Sequence, residues 1–164
     1  MNGRADGLAQ ITRYNHAIEW CGNLCPRQLL VKQSDLRLRL LNRVVTNFYD
    51  DALRPLGLKV SQLNILIVTA RLGLARPVQV CDILQLDTST LSRNVERMRA
   101  HGWLEVVPGE DARTQSFRLT TQGKRLIEKA IPAWEEAQRQ ASELLGDQGI
   151  ALLDKAAKKL RADR

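Results

Sequence analysis

Hydroxyl and guanidinium side chains are concentrated between Thr88 and His101. In a helix, a step of about 100° per residue places Ser89, Arg93 and Arg97 on one face. Arginine forks match guanine O6 and N7, and serine or threonine hydroxyls reach phosphates or bases. The alternative is an ordinary exposed helix, since such helices commonly carry the same residue types. The candidate DNA contacts of this segment are Thr88, Ser89, Thr90, Ser92, Arg93 and Arg97.

A short helix and a tight turn precede this segment. Pro77 suits the first turn of a helix that continues to Leu84. Only residues 85–87 separate the two helices, and Asp87 is a suitable N-cap for the second, which Gly102 ends. Two short helices joined by about three or four residues form a helix-turn-helix, which favours DNA reading over the ordinary exposed helix.

A polar turn between two short strands follows. Trp103–Val107 and Thr114–Leu119 have the composition of strands, which predicts an antiparallel hairpin. Arg113 near its tip could enter a minor groove, where negative potential attracts arginine, or it could pair with Asp111 and stiffen the turn. The candidate contacts of the hairpin are Asp111, Arg113, Gln115 and Arg118.

Longer helices are predicted on both sides of this module. Ser34 is a suitable cap for a helix over 35–53, and Ser61 for a second helix that Gly73 ends. After the hairpin, Thr120 or Thr121 is expected to cap a long helix.

The long helix contains residues that disfavour a straight course. Pro132 is expected to kink it, and Gly146 and Gly149 to break it. A final helix over Ile150–Arg161 is expected to direct its apolar residues inward, namely Leu152, Leu153, Ala156 and Leu160.

The composition favours a polyanionic partner and disfavours catalysis. Lysine and arginine number 25 against 18 acidic residues, giving a formal net charge of +7, which suits nucleic acid, although basic residues also serve solubility. The chain lacks a Gly-rich phosphate loop, a nucleophile elbow and a zinc-protease motif, so we expect no enzyme, no cofactor and no metal. It also lacks a signal peptide and an apolar stretch of about 20 residues, so a cytoplasmic protein without membrane contact is expected.

Three stretches resemble the MarR family of bacterial winged helix-turn-helix regulators. Asp111–Gly123 resembles the family's wing signature, an Asp-x-Arg followed by an apolar strand, Leu-Thr and Gly. Ser89–Arg93 resembles the start of the recognition helix, and Gly57–Gln62 the segment before the core helix. The chain departs from the family at Gln85, where Gly is common, and at Cys81, where a small residue is usual.

The resemblance implies a homodimer that binds a pseudo-palindromic operator in double-stranded DNA and represses transcription. Two recognition helices about 34 Å apart would read successive major grooves. The apolar stripes of the terminal helices agree, because a winged module alone could not cover them. The resemblance also implies a small phenolic or lipophilic effector, with core or interface packing as the alternative role of its candidate residues Trp20, Arg43, Phe48 and Trp134.

We therefore predict a mainly α fold with a small β-hairpin wing. The predicted parts are a partly helical N-terminal extension over 1–33, a winged helix-turn-helix domain over 57–121, and a helical dimerisation region over 34–56 and 122–164. The competing functions are a DNA-architectural protein without effector control and a pure dimerisation module.

The cysteines suggest a further regulatory hypothesis. Cys21 and Cys25 are four residues apart and would share a face of a helix, which permits a reversible disulfide or a soft-metal site. Unreactive thiols are the alternative, because no further Cys-x-x-Cys or His cluster completes a tetrahedral site. Cys81, close to Val80 and Ile83 in the sequence, is expected to be buried filler.

Overall fold

A computed structural model describes residues 34–108 and 115–162. The chain divides into two compact units between Asn47 and Phe48. The elements in order are α1 (Ser34–Leu53), a 3₁₀ turn (Arg54–Leu56), α2 (Val60–Leu72), α3 (Pro77–Leu84), α4 (Thr88–Ala100), β1 (Leu104–Pro108), β2 (Gln115–Leu119) and α5 (Thr121–Ala162). The predicted class, mainly helical with a β-hairpin, is confirmed. None of the described helices is both long and apolar enough to cross a bilayer.

The core of the second unit forms around α2. Leu63, Ile65 and Leu66 are buried there, whereas Ile67 on the other side is 42% exposed. Every neighbouring element adds apolar side chains to the same cluster, which includes Leu53, Leu58, Val80, Leu91, Met98, Trp103, Leu104, Phe117, Leu119 and Ala130. A helix that is apolar on most sides therefore lies between its neighbours, as its composition indicates.

The start of α2 differs from the prediction. Lys59, not Ser61, is the N-cap residue, and its N–H donates to Gln62 Oε1 at 3.0 Å. The carboxylate of Asp50, ten residues earlier in α1, accepts the Val60 N–H at 2.8 Å. The prediction of Ser61 as the cap was wrong because a carboxylate from α1 accepts the first free N–H of α2, and local propensity does not reveal such a partner.

The predicted helix-turn-helix is confirmed, with an unusual residue at its turn. Gln85 ends α3 in the left-handed region (φ 53°), a conformation that glycine adopts more readily. Its Nε2 donates to the Asp82 carbonyl at 2.7 Å, and the Leu86 N–H donates to the Cys81 carbonyl at 3.1 Å. These bonds hold the turn in the place where the family often has glycine.

Asp87 caps α4 as predicted. Its carboxylate accepts the Thr90 N–H at 2.7 Å, and hydrogen bonds from the Ser89 and Thr90 hydroxyls reach the same group. These bonds, with the Ser89 hydroxyl first, hold the pKa of Asp87 well below its usual range. The carboxylate is therefore ionised at neutral pH.

The hairpin is antiparallel, and a third segment joins it. The register pairs Leu104 with Leu119 and Glu105 with Arg118. Ala75, between α2 and α3, exchanges two backbone hydrogen bonds of 2.9 Å with Phe117. The first strand begins at Leu104 rather than Trp103, because Trp103 is taken up by the turn after α4.

The start of α5 packs tightly on that turn. Thr120 caps the helix by accepting the Gly123 N–H at 3.0 Å, and its own N–H donates to the Trp103 carbonyl at 3.1 Å. A Cβ at Gly123 would lie 2.2 Å from the Trp103 carbonyl oxygen. Glycine is thus required here by the close approach of two backbones.

The course of α5 corrects two expectations. The helix includes Pro132, and its backbone leaves helical geometry at Gly146 (φ 64°, ψ 169°), where the sequence predicted a break. Gly149, the second predicted break, lies instead within the helix that follows. Leu152 is 68% exposed and Leu153 42% exposed, and Ala156 is also exposed, so these residues do not face inward within one chain. The side chain of Leu160 lies outside the described residues.

Gly123→Ala should lower the free energy of unfolding by about 1–3 kcal/mol, because the added methyl overlaps the Trp103 carbonyl. In an unobstructed helix the same change would stabilise by about 1 kcal/mol. Urea denaturation measures the difference. The matched control is Gly149→Ala, whose Cβ would approach Leu145 Cβ only to 3.3 Å, and which should stay within about 1 kcal/mol of wild type. A Gly123→Ala protein as stable as wild type would contradict the close packing.

Removal of the α4 cap should have a defined pH dependence. Since the pKa of Asp87 is lowered by folding, its contribution to stability is fully present above the ordinary aspartate value of 3.8 and is lost as pH falls below it. The difference in unfolding free energy between wild type and Asp87→Ala should therefore be constant from about pH 8 to about pH 5 and shrink in more acid solution. Asp87→Asn, which caps without titrating, is the control. A difference that grows on acidification would refute this linkage.

Candidate nucleic-acid interface

The outward face of α4 carries the side chains that the sequence indicated. Leu91 and Met98 are buried against the core, with 1% and 0% of their surface exposed. Ser89, Arg93 and Arg97 are exposed on the other side. Because one face of the helix is anchored in the core, the three polar residues have a fixed direction relative to the rest of the unit.

Backbone and side-chain bonds orient the first turns of this face. Arg93 Nε donates to the Ser89 carbonyl at 3.3 Å, which directs the guanidinium toward the start of the helix. This bond does not use the two terminal nitrogens of the guanidinium. Asn94 is half-buried, and its Nδ2 donates to the Thr90 carbonyl at 2.9 Å. Thr88 and Ser92 are exposed, and neither hydroxyl bonds to another described residue.

Asp87 belongs to this surface, although its residue type predicted only a cap. Its carboxylate takes the hydroxyl of Ser89 at 2.6 Å and that of Thr90 at 2.7 Å. Because the Asp87 carboxylate already accepts the Thr90 N–H, the backbone N–H groups at this helix end are poorly suited to the phosphate binding that a free helix end supports. The spacing Asp87-x-Ser89-Thr90 could have indicated these hydrogen bonds from the sequence, because both hydroxyl residues follow the cap within one helical turn.

The structure describes two of the four candidate DNA contacts in the hairpin, Gln115 and Arg118. Arg118 Nε donates to Glu105 Oε1 at 2.6 Å across the two strands, and both side chains are about half exposed. Gln115 is exposed opposite Pro108. Asp111 and Arg113 lie outside the described residues. Arg118 is therefore oriented by a cross-strand ion pair at the base of the wing.

The candidates for regulation are only partly described. Trp20, Cys21 and Cys25 lie outside the described residues, and Arg43 is an exposed residue of α1. Cys81 is half-buried rather than fully buried and packs against the core. The described residues contain no group of three or more His, Cys, Asp or Glu side chains that could hold a metal ion.

An aromatic contact joins α1 to α5 within the second unit. The rings of Tyr49 and Trp134 are 6.4 Å apart and tilted by 41°, and the Tyr49 hydroxyl donates to Gln138 Oε1. Burial raises the pKa of Tyr49. Phe48, the neighbouring candidate, is half-buried. Tyr49 was missed because a tyrosine on an apolar face is indistinguishable from core in the sequence alone.

Comparison with known proteins agrees with this arrangement. Residues 56–114 match the model of the MarR family. The multiple antibiotic resistance protein MarR of Salmonella typhimurium is 26% identical over 124 residues, which are 74% of this chain and 85% of that protein. The chain spans between 64% and 85% of the length of such curated relatives.

Two solved structures share the fold. The M. tuberculosis transcriptional regulator MOSR, solved in complex with DNA, is 32% identical with a TM-score of 0.66 over 79% of this chain and 99% of that chain. BpsR of Bordetella bronchiseptica, whose DNA binding is regulated by 6-hydroxynicotinic acid, is 21% identical with a TM-score of 0.71 over 79% and 99%. These likenesses agree with the buried and exposed faces of α4 and with the hairpin beside it. The chain therefore belongs to the MarR family of winged helix-turn-helix, DNA-binding transcriptional regulators.

Proposed function

We propose that the protein represses transcription by binding a pseudo-palindromic operator as a homodimer. The observation that carries the proposal is the face of α4, where Ser89, Arg93 and Arg97 are exposed while Leu91 and Met98 anchor the helix in the core. A helix held in this way presents two guanidinium groups to a major groove, and arginine is the commonest side chain to read guanine there.

The remaining candidates have supporting roles in this proposal. Thr88 and Ser92 keep hydroxyl protons that can reach phosphate oxygens beside the groove. Arg118 at the base of the wing adds positive charge near the backbone, although Glu105 offsets part of it. Arg113 at the wing tip is proposed for an adjacent minor groove, on the strength of the resemblance and of residue type.

Exposed apolar residues along α5 support the homodimer. Leu144, Leu152 and Leu153 are 41%, 68% and 42% exposed in the single chain. Leucines that one subunit leaves in water are covered when two copies pack the same helices together about a two-fold axis. Two-fold symmetry would also present two α4 helices to two related half-sites.

We further propose that a small aromatic acid releases the protein from DNA. Tyr49 and Trp134 form a tilted ring pair beside Gln138, and an aromatic ligand would pack against such rings through the same kind of contact. The regulation of BpsR by 6-hydroxynicotinic acid supports the chemical class. A ligand releases DNA if it binds the non-binding conformation more tightly than the binding one.

Arg93→Ala should weaken binding to a selected operator by about 1–3 kcal/mol and reduce discrimination between operator and random DNA. Electrophoretic mobility shift or fluorescence anisotropy titration at fixed salt measures both affinities. Arg54→Ala is the matched control, since it removes the same charge from an exposed arginine outside α4 and the hairpin. If the two variants lose operator affinity equally and keep full discrimination, Arg93 does not read bases.

The wild-type chain should sediment as a dimer at micromolar concentration, and Leu152→Asp should shift it toward the monomer because a charge enters an apolar interface. Operator affinity should fall in parallel, since a monomer engages one half-site only. Gln148→Asp adds the same charge at an exposed polar position and should remain dimeric. A monomeric wild-type protein that still protects two half-sites would exclude this interface.

A further inference from the structure

The carboxylate of Asp87 determines what the Ser89 hydroxyl can recognise. The two groups lie 2.6 Å apart, and the same carboxylate accepts the Thr90 N–H and the Thr90 hydroxyl. A hydroxyl has one proton and two lone pairs, and an ionised carboxylate can only accept. The proton of Ser89 therefore points to Asp87, and the direction of this bond needs no assumption about hydrogen positions.

With its proton committed, Ser89 presents only lone pairs to a ligand. Phosphate oxygens, guanine O6 and N7, thymine O4 and adenine N7 are all acceptors, so none of them can bond to it. In the major groove the remaining partners are the exocyclic amino groups, N6 of adenine and N4 of cytosine. Ser89 differs in this from Thr88 and Ser92, whose hydroxyl protons are not taken by a described residue.

Ser89 and Arg93 are neighbours on the same exposed face. Arg93 is one turn further along, and its Nε donates to the Ser89 carbonyl, so the two side chains start from adjoining points. Arginine offers only donors, which suit guanine, and Ser89 offers only acceptors. The pair therefore presents opposite hydrogen-bonding character at neighbouring points of one helix face.

We propose that Ser89 is a specificity-determining residue that accepts a hydrogen bond from the amino group of adenine or cytosine, next to a guanine contacted by Arg93. This inference rests on the proposed operator binding. It assigns to Asp87 a positioning role, because the carboxylate sets the polarity of Ser89 without touching the base itself.

Selection of bound duplexes from a randomised pool, with the full-length protein, tests the inference. The wild-type protein should prefer adenine or cytosine at one position of each half-site, within two base pairs of a guanine whose preference depends on Arg93. Ser89→Ala should reduce that preference by about fivefold and leave the other positions unchanged. Ser61→Ala is the matched control, because Ser61 is also the exposed second residue of a helix and should not alter any position.

Base analogues test the same bond with the unaltered protein. Replacing the preferred adenine by purine deoxyriboside, or the preferred cytosine by 2-pyrimidinone deoxyriboside, removes only the amino group. Wild-type affinity should fall about fivefold with whichever analogue matches the preferred base, and Ser89→Ala should not distinguish the analogue from the natural duplex.

The outcomes separate this inference from the proposed function. If the wild-type protein enriches no sequence, operator binding itself is wrong. If it enriches a motif but Ser89→Ala relaxes no position, or relaxes one where guanine or thymine is preferred, operator binding stands and the acceptor role of Ser89 is overturned. Equal loss of affinity for the analogue in wild type and Ser89→Ala would likewise overturn it.

Discussion

The close approach of two backbones at Trp103 is the constraint on which the arrangement of the interface depends. The Trp103 N–H donates to the Met98 carbonyl at the end of α4, and its own carbonyl accepts the Thr120 N–H at the start of α5. The Thr120 hydroxyl also reaches the Gly102 carbonyl at 2.6 Å. The recognition helix, the hairpin and α5 meet at this one turn, and Gly123 is the residue that leaves room for it. The ends of α4 and α5 are therefore connected at this turn by short backbone hydrogen bonds and by the Thr120 hydroxyl.

The recognition helix combines a buried anchor with an exposed polar face, and its start shows how the two are related. Asp87 stabilises the helix by accepting a backbone N–H, and the same carboxylate orders the hydroxyls of Ser89 and Thr90. In the role proposed for Ser89, capping and base recognition share one group. The residue that caps the helix also restricts the Ser89 hydroxyl to accepting hydrogen bonds from any further partner, because a hydroxyl proton can be donated only once.

The long helix α5 connects this module to the surface proposed for a second copy. Its first half packs through Ala130, Ala137 and Ala141, which are nearly fully buried, whereas Leu152 and Leu153 beyond Gly146 are left in water. Small buried residues bring the first half close to its neighbours, and larger exposed ones remain available to a second copy. A regulator that couples a ligand to DNA release needs such a connection between subunit contacts and the turn at Trp103.

The sequence by itself determined the helix-turn-helix, the hairpin and the face of α4, because caps, glycine stops and the helical and strand periods are local properties. It also determined the family, through the stretches from Gly57 to Gln62, Ser89 to Arg93 and Asp111 to Gly123. Only the tertiary structure decided that Asp50 caps α2, that Ala75 extends the hairpin and that Gly123 is required by the Trp103 carbonyl. Each of these depends on partners ten or more residues away, which no local pattern specifies. The sequence could not predict the exposure of Leu152 and Leu153 either, because an apolar stripe has the same pattern whether its own chain or a second copy covers it.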